Sequence, residues 1–264
     1  MKNSFYYGTI LSLSILLLFG GIIGLAANED TLRVRARKGQ DIENMDPAFH
    51  IGDEEYNINL AIFSRLMKYE PNSQELKLDA AKSVDVSEDG KMVDFVLKEG
   101  IQFHEGYGEL TAEDVKFSYE RIIDPENESP YKSSWATLDH VEVTGKYTGK
   151  LVFNEPLASL FTTSIPYTAG AIISKEAYQD LGDQFSTHPI GSGPYRWADW
   201  NPNQKIVLER FDEYYGEKPE FETVEILTIE NDKSAEMSFD RGELDDTSIS
   251  LTSLGRYEKK EDAV

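Results

Sequence analysis

The stretch HPIGSGPY at residues 188–195 is the first place where residue types and spacing could do chemistry. A phosphate-binding loop of the form G-x-x-x-x-G-K-[ST] needs wider glycine spacing and a lysine, and Pro194 lacks the backbone N–H that such a loop would use. A nucleophile elbow needs G-x-S-x-G, whereas Gly191 and Gly193 adjoin Ser192 directly. The stretch therefore favours neither a phosphate site nor a serine hydrolase.

Metal chemistry has little support in the sequence. The chain has no cysteine, which excludes disulfides, thiolate catalysis, cysteine-ligated zinc and a lipid anchor on cysteine. The histidines are scattered without an H-x-x-x-H or H-E-x-x-H pair, and we interpret them as surface or hydrogen-bonded residues: His50, His104, His140 and His188. Residues 85–90 imitate the start of a calcium loop, but the twelfth position is Val96, so a turn is predicted. We expect no metal, no cofactor and no enzymatic activity.

The charge balance limits the classes of partner. The formal net charge is −22, from 48 acidic and 26 basic residues, and binding nucleic acid would require a basic face. The acidic residues are interspersed, which favours a solvated surface over a specific cation site. The 14 tyrosines and 3 tryptophans belong mainly to a core, although aromatic side chains can also line a cleft that holds a solute.

The N-terminal residues 1–27 resemble a signal peptide. Lys2 precedes an apolar run over residues 10–25, and the small residues Gly24, Ala26 and Ala27 suit a cleavage site. Export to the periplasm or to the outer face of the cytoplasmic membrane is predicted. An uncleaved membrane anchor is the alternative, since residues 10–27 are near the minimum length that spans a bilayer.

The remaining pattern mixes helices and strands. Residues 31–36 alternate like a strand, and residues 56–67 have the apolar spacing of a helix. The sequence TAED at residues 111–114 predicts a capped helix start, because Thr111 and Asp114 can satisfy each other's backbone N–H groups. Further strands are predicted in residues 93–103, 141–153, 205–210 and 224–229, which gives an α/β or α+β protein.

Ten segments in a fixed order resemble one known family, the extracytoplasmic solute-binding proteins of peptide and nickel ABC importers, family 5. They are residues 78–83, 87–91, 95–98, 101–106, 110–118, 172–175, 188–195, 208–210, 214–216 and 242–245. The resemblance implies that HPIGSGPY is a structural junction whose glycines permit backbone torsions that other residues avoid.

The resemblance also implies an architecture. The fold would be the two-lobed α/β fold of type II periplasmic binding proteins with an inserted extra domain. Residues 28–63 and 175–264 would form the first lobe, and residues 64–174 would form the inserted domain. Members of the family are about twice as long as this chain, so the C-terminal lobe is expected to be missing, through truncation or fragmentation.

A few ligand-facing residues follow from the resemblance. Ile51, Gly52 and Asp53 come after the first crossover, which Asp46-Pro47 matches. Tyr131 matches a tyrosine that the family offers to its ligand, and Ser248 takes a place where a tyrosine can occur. Where Ile51 falls, oligopeptide binders often have an acidic residue that meets the peptide's amino end, so the length and mode of a bound peptide are open.

The function implied is a noncatalytic substrate-binding subunit of an ABC importer. It would hold a peptide or another small solute between two lobes and deliver it to permease subunits in the membrane. Membrane contact would come through the permease or through an uncleaved leader. A truncated, membrane-anchored interaction or sensory module without transport activity is the alternative.

Overall fold

The computed structural model describes residues 30–258, and the predicted leader lies outside them. The strands are β1 (Thr31–Arg35), β2 (Met67–Tyr69), β3 (Leu76–Leu78), β4 (Ala81–Val86), β5 (Met92–Leu97), β6 (Leu138–Gly145), β7 (Thr148–Phe153), β8 (Tyr195–Asn201), β9 (Lys205–Arg210) and β10 (Thr223–Leu227). The helices are α1 (Asp53–Ile62), α2 (Ala112–Ile123), α3 (Lys175–Leu181), α4 (Asp232–Asp240) and α5 (Leu254–Tyr257). Short 3₁₀ turns connect many of them.

The strands form two four-stranded sheets and one small hairpin sheet. One sheet has the order β1-β10-β9-β8, with β1 parallel to β10 and the other pairs antiparallel. The second is antiparallel throughout, in the order β4-β5-β7-β6, and β2 pairs with β3 separately. This is the mixed α/β content that the sequence predicted. The division into residues 28–63, 64–174 and 175–264 stays a prediction, because one continuous hydrophobic core packs against both large sheets.

Two local predictions are confirmed. In the β4–β5 turn the Gly90 N–H donates to the Ser87 carbonyl at 2.9 Å, and Gly90 has a φ of 69°, which suits glycine. At the start of α2 the Thr111 N–H and hydroxyl both donate to the Asp114 carboxylate, at 2.9 and 2.8 Å. The negative charge lies at the positive end of the helix dipole, so α2 begins where the sequence places it.

The predicted helix over residues 56–67 is wrong in its bounds. The helix begins at Asp53 and ends at Ile62, after which Phe63 is extended with φ −111° and ψ 140°. The backbone beyond it pairs with a distant segment: the Arg65 N–H donates to the Asp79 carboxylate at 2.9 Å, and Ala80 donates to the Arg65 carbonyl at 2.8 Å. Tertiary hydrogen bonds therefore end the helix before its apolar periodicity ends.

The HPIGSGPY stretch is packed against the end of α1. The Gly193 N–H donates to the Ile62 carbonyl at 2.7 Å, and the Ser64 hydroxyl donates to the Ser192 carbonyl at 3.0 Å. A Cβ atom on Gly191 would lie 2.0 Å from the Ile62 carbonyl oxygen. Neither glycine is among the described residues with positive φ, so the expectation of unusual torsions is wrong. Glycine is required here because the two backbones approach closely.

The histidines correct one sequence interpretation. His50 and His104 are 2% and 1% exposed. The His104 Nε2 is 3.0 Å from the Gly193 carbonyl oxygen, but among the described residues neither ring nitrogen of His50 has a hydrogen-bond partner. His50 is therefore neither a surface residue nor a hydrogen-bonded one. Of the other two, His140 is exposed beside Asp139 and His188 is half-buried beside Glu105.

No helix in residues 30–258 combines the length and the apolar character that crossing a bilayer would require.

We expect Gly191→Ala to lower the free energy of unfolding by about 3 kcal/mol, because the new methyl group would overlap the Ile62 carbonyl. Gly255→Ala is the matched control, because within residues 30–258 nothing beyond its chain neighbours and its own helix backbone lies within 4 Å of a Cβ atom at this position in α5. Denaturant unfolding of both variants is the measurement. Equal stabilities for the two variants would contradict the close approach.

We also expect stability to fall as the pH drops from 6.5 towards 4. Burial lowers the pKa of His50 and of His104 to about 4, whereas the unfolded chain protonates them near 6.5. Each contributes stability that is complete above pH 6.5 and decreases by about 2 kcal/mol on reaching pH 5. His50→Phe and His104→Phe should each flatten the pH dependence of urea unfolding. Identical slopes in both variants and in the unchanged protein would refute the assignment.

Candidate functional site

Four of the five predicted site residues meet at one cavity. Ile51, Gly52, Asp53 and Tyr131 line a cavity of about 360 Å³, although residues 53 and 131 are far apart in the chain. Ser248 does not line it. That residue is exposed in the extended segment after Asp246, which bridges to β1.

The loop before α1 is positioned by a buried ion pair. The Arg121 guanidinium on α2 donates to both oxygens of Asp46, at 2.8 and 2.6 Å. Asp46 in turn organises its own loop, since its carboxylate accepts from the Ala48 N–H at 3.0 Å and its carbonyl from the His50 N–H at 3.0 Å. The ion pair thus fixes the residues that lead into the cavity.

A second connection joins this loop to the Tyr131 segment. The Tyr131 hydroxyl donates to the His50 carbonyl at 2.7 Å, and the Ser129 hydroxyl donates to the Ala48 carbonyl at 2.5 Å. Burial raises the pKa of Tyr131, so its hydroxyl stays protonated and remains a donor. Hydrogen bonds from the Tyr131 and Ser129 hydroxyls to backbone carbonyls therefore join the two walls of the cavity.

The residues at the start of α1 differ in exposure and charge. Ile51 is 80% exposed, which is unusual for a large aliphatic side chain. Asp53 forms an ion pair with Lys38 at 2.9 Å, and the hydrogen bond from that ammonium lowers the pKa of Asp53. Gly52 precedes the helix, and a Cβ atom there would collide with the Glu55 carboxylate. The rim of the cavity thus combines an apolar side chain with a carboxylate that is paired with a lysine.

Sequence reasoning missed the aromatic wall. The Tyr56 and Tyr167 rings stack with centroids 5.6 Å apart, and Tyr69 meets Tyr167 edge to face at 5.9 Å. The sequence shows that tyrosine is abundant, but only the fold brings α1 and residue 167 together. The hydroxyl-bearing residues Ser134, Thr163 and Thr168 and the buried His50 also line the cavity.

A larger, more polar cavity of about 930 Å³ shares Ile51, Gly52 and Asp53 with this one. Its floor includes Glu54 and Glu55, which are 7% and 5% exposed. Burial raises the pKa of Glu54, although its carboxylate accepts the Arg37 N–H at 2.5 Å. The exposed face next to α1 is therefore a continuous concave surface with acidic and aromatic parts.

The combination is suited to the binding of a small solute. Ring faces, hydroxyl groups and a few carboxylates around a concave surface are the usual means by which a protein holds a small organic solute. Within residues 30–258, no group of three or more potential metal ligands lies close enough together to hold an ion.

Comparisons with known proteins agree with this fold. The chain is similar to the probable D,D-dipeptide-binding periplasmic protein DdpA of Escherichia coli, with 27% identity over 216 residues that cover 79% of this chain and 41% of that protein. It is also similar to the oligopeptide-binding protein AppA of Bacillus subtilis, with 27% identity over 212 residues that cover 78% of this chain and 39% of that protein.

Solved structures give the same result. The Bacillus subtilis AppA structure, in complex with a nonapeptide, superimposes with a TM-score of 0.80 and 25% identity over 88% of this chain and 46% of that one. Helicobacter pylori DppA, in complex with the peptide STSA, gives 0.79 and 26% over 88% and 49%. These structures share the type II periplasmic-binding fold.

The chain spans about two fifths of the length of these curated relatives and under half of these solved structures. The model of the protein family described as "Bacterial extracellular solute-binding proteins, family 5 Middle" matches residues 75–264 of this chain. The chain belongs to this family of solute-binding proteins.

Proposed function

We propose that this chain is the N-terminal, ligand-binding part of an exported substrate-binding protein that delivers peptides to the permease of an ABC importer. The observation that carries the proposal is the meeting of Ile51, Gly52, Asp53 and Tyr131 at one cavity, on an exposed concave face. The relatives named for dipeptide and oligopeptide binding supply the ligand class.

The physical character of the cavity supports a peptide ligand. A dipeptide or longer peptide presents a charged amino group, amide groups and side chains of varied polarity. Asp53 and the buried Glu54 and Glu55 favour the amino group by charge, and the tyrosine rings accept apolar side chains without demanding one shape. Such a site binds a class of peptides.

We further propose that residues 28–63 and 175–264 act as one lobe and that residues 64–174 are its inserted domain. Tyr131 then belongs to the inserted domain and the α1 start belongs to the lobe, so the ligand contacts both. Ser248 remains a proposed contact that would require a ligand extending beyond the 360 Å³ cavity. Binding without turnover is proposed in the same terms, since the named relatives are binding proteins.

The first test is a thermal melt of the purified chain with and without a panel of synthetic peptides of two to five residues. A peptide at about a hundred times its dissociation constant should stabilise the protein by about 2.7 kcal/mol, which is a readily measured increase in Tm. Titration calorimetry on the strongest peptide then gives the affinity. A cooperative melt that no peptide shifts would count against peptide binding by this chain.

Tyr131→Ala should weaken the affinity for the strongest peptide about tenfold, because it removes the ring from the cavity wall and the hydrogen bond to the His50 carbonyl. The matched control is Tyr107→Ala, which also loses a ring and a hydroxyl contact, here to Asp180, on a different surface. Calorimetry on both variants is the measurement. An unchanged affinity in the Tyr131 variant would place the ligand elsewhere.

A further inference from the structure

A second cavity, of about 820 Å³, lies on the opposite side of Tyr56 from the candidate site and shares only that residue with it. It is bounded by the end of α1, the β2–β3 hairpin and the loop at residues 214–219. Its apolar and aromatic lining includes Leu60, Pro166, Tyr214 and Tyr215.

The cavity is rich in cations although the whole chain carries a net charge of −22. Five cationic residues line it: Arg65, Lys68, Lys77, Lys98 and Lys218. Three carboxylate residues line it: Glu70, Asp79 and Glu217. Lys77 is paired with Glu70, and Lys218 with Asp212 outside the cavity. The remaining three cations face two carboxylates, Asp79 and the exposed Glu217, so an excess of one positive charge is left.

Asp79 is the only buried residue among the three carboxylates that line the cavity, and its oxygen atoms already accept several hydrogen bonds. It is 4% exposed and accepts from the Lys68 ammonium at 2.8 Å, the Tyr215 hydroxyl at 2.8 Å and the Arg65 backbone N–H at 2.9 Å. The charge of Asp79 raises the pKa of Lys68 against the opposing effect of burial. The negative charge of Asp79 therefore mainly balances the positive charge of Lys68.

Arg65 is a buried cation held by neutral acceptors. Its side chain donates to the Tyr167 carbonyl at 2.9 Å, the Phe63 carbonyl at 2.9 Å and the Asn59 amide oxygen at 2.5 Å. In the part of the chain that the structure describes, no carboxylate oxygen lies within ion-pair distance of it. Burial lowers the pKa of Arg65, and the charge of Asp79, whose carboxylate accepts the Arg65 backbone N–H, opposes that effect only in part. A buried charge of this kind is costly unless an anion approaches it.

Lys98 provides a second cation without a carboxylate. Its ammonium lies 5.3 Å from the centre of the Tyr215 ring, and it has no ion-pair partner among residues 30–258. A ring face stabilises an ammonium group only weakly, so this lysine can still bind an anion.

We propose that this cavity is a second ligand site, which binds an organic carboxylate with an apolar or aromatic body. The carboxylate of the ligand would interact with the Lys98 ammonium and would be attracted by the positive charge of Arg65. The apolar part of the ligand would lie against the tyrosine and proline side chains. The apolar lining favours such a molecule over inorganic phosphate, which gains nothing from ring faces. The proposal does not rest on the peptide site, with which this cavity shares only Tyr56.

The test is titration calorimetry of the full chain with phenylacetate, with phenylacetamide as its uncharged counterpart and with inorganic phosphate. Phenylacetate should bind at least about fivefold more tightly than either of the other two, and raising NaCl from about 50 to about 500 mM should weaken it. Equal affinities for the acid and the amide, or no binding of phenylacetate, would overturn the proposal. Stronger binding of phosphate would replace the organic carboxylate by a simple anion and would also overturn it.

The variant Lys98→Met tests whether phenylacetate binds in this cavity. This variant should lose about fivefold in phenylacetate affinity, because it removes a charge whose only described contact is a ring face. Lys233→Met, on the exposed side of α4, removes the same charge far from the cavity and should bind phenylacetate like the unchanged protein. Equal losses in the two variants would show a general charge effect and would contradict binding in this cavity.

Discussion

Arg121 and Asp46 form a two-pronged ion pair with side chains only 6% and 5% exposed, and the Arg121 guanidinium lies 4.2 Å from the centre of the Tyr178 ring. Removing either partner would leave an uncompensated charge in the interior, so the pair holds the loop before α1 in one arrangement. Within this loop the Asp46 carboxylate accepts from the Ala48 N–H and the Asp46 carbonyl accepts from the His50 N–H, so the loop fixes the backbone that leads into the cavity. The candidate site therefore depends on a contact between two residues that do not line its cavity.

Asp79 has a comparable role on the other side of α1. It binds the backbone of Arg65, the Lys68 ammonium and the Tyr215 hydroxyl, and the Tyr215 hydroxyl also lies 3.1 Å from the Ser64 hydroxyl. One carboxylate thus connects the end of α1, the β2–β3 hairpin and the loop after β9. The two sides of α1 differ in sign as a result: carboxylates dominate the face near its start, and cations dominate the cavity near its end.

The sequence predicts features that depend on neighbours in the chain. The start of α2 follows from Thr111 and Asp114 alone, and the β4–β5 turn follows from its glycine. The end of α1 could not be predicted, because Asp79 and Ala80 compete for the backbone after Ile62. The candidate site residues around position 51 were proposed from family resemblance, whereas the tyrosine stack and the burial of His50 needed the assembled fold.

Residues 66–170 lie between β1 and β8 in the chain, and the two ends of this segment are neighbours in the structure. The Ile172 N–H donates to the Ser64 carbonyl at 2.9 Å, and Arg65 pairs with Ala171 as an antiparallel bridge. A stretch whose two ends are hydrogen-bonded neighbours can be exchanged for another of different length at little cost in chain closure. In evolutionary terms, a change in the length of residues 66–170 would leave the chain connections of the sheet of β1, β8, β9 and β10 in place, as long as the new segment still supplied partners for Asp46 and Tyr215, which Arg121 and Asp79 provide here.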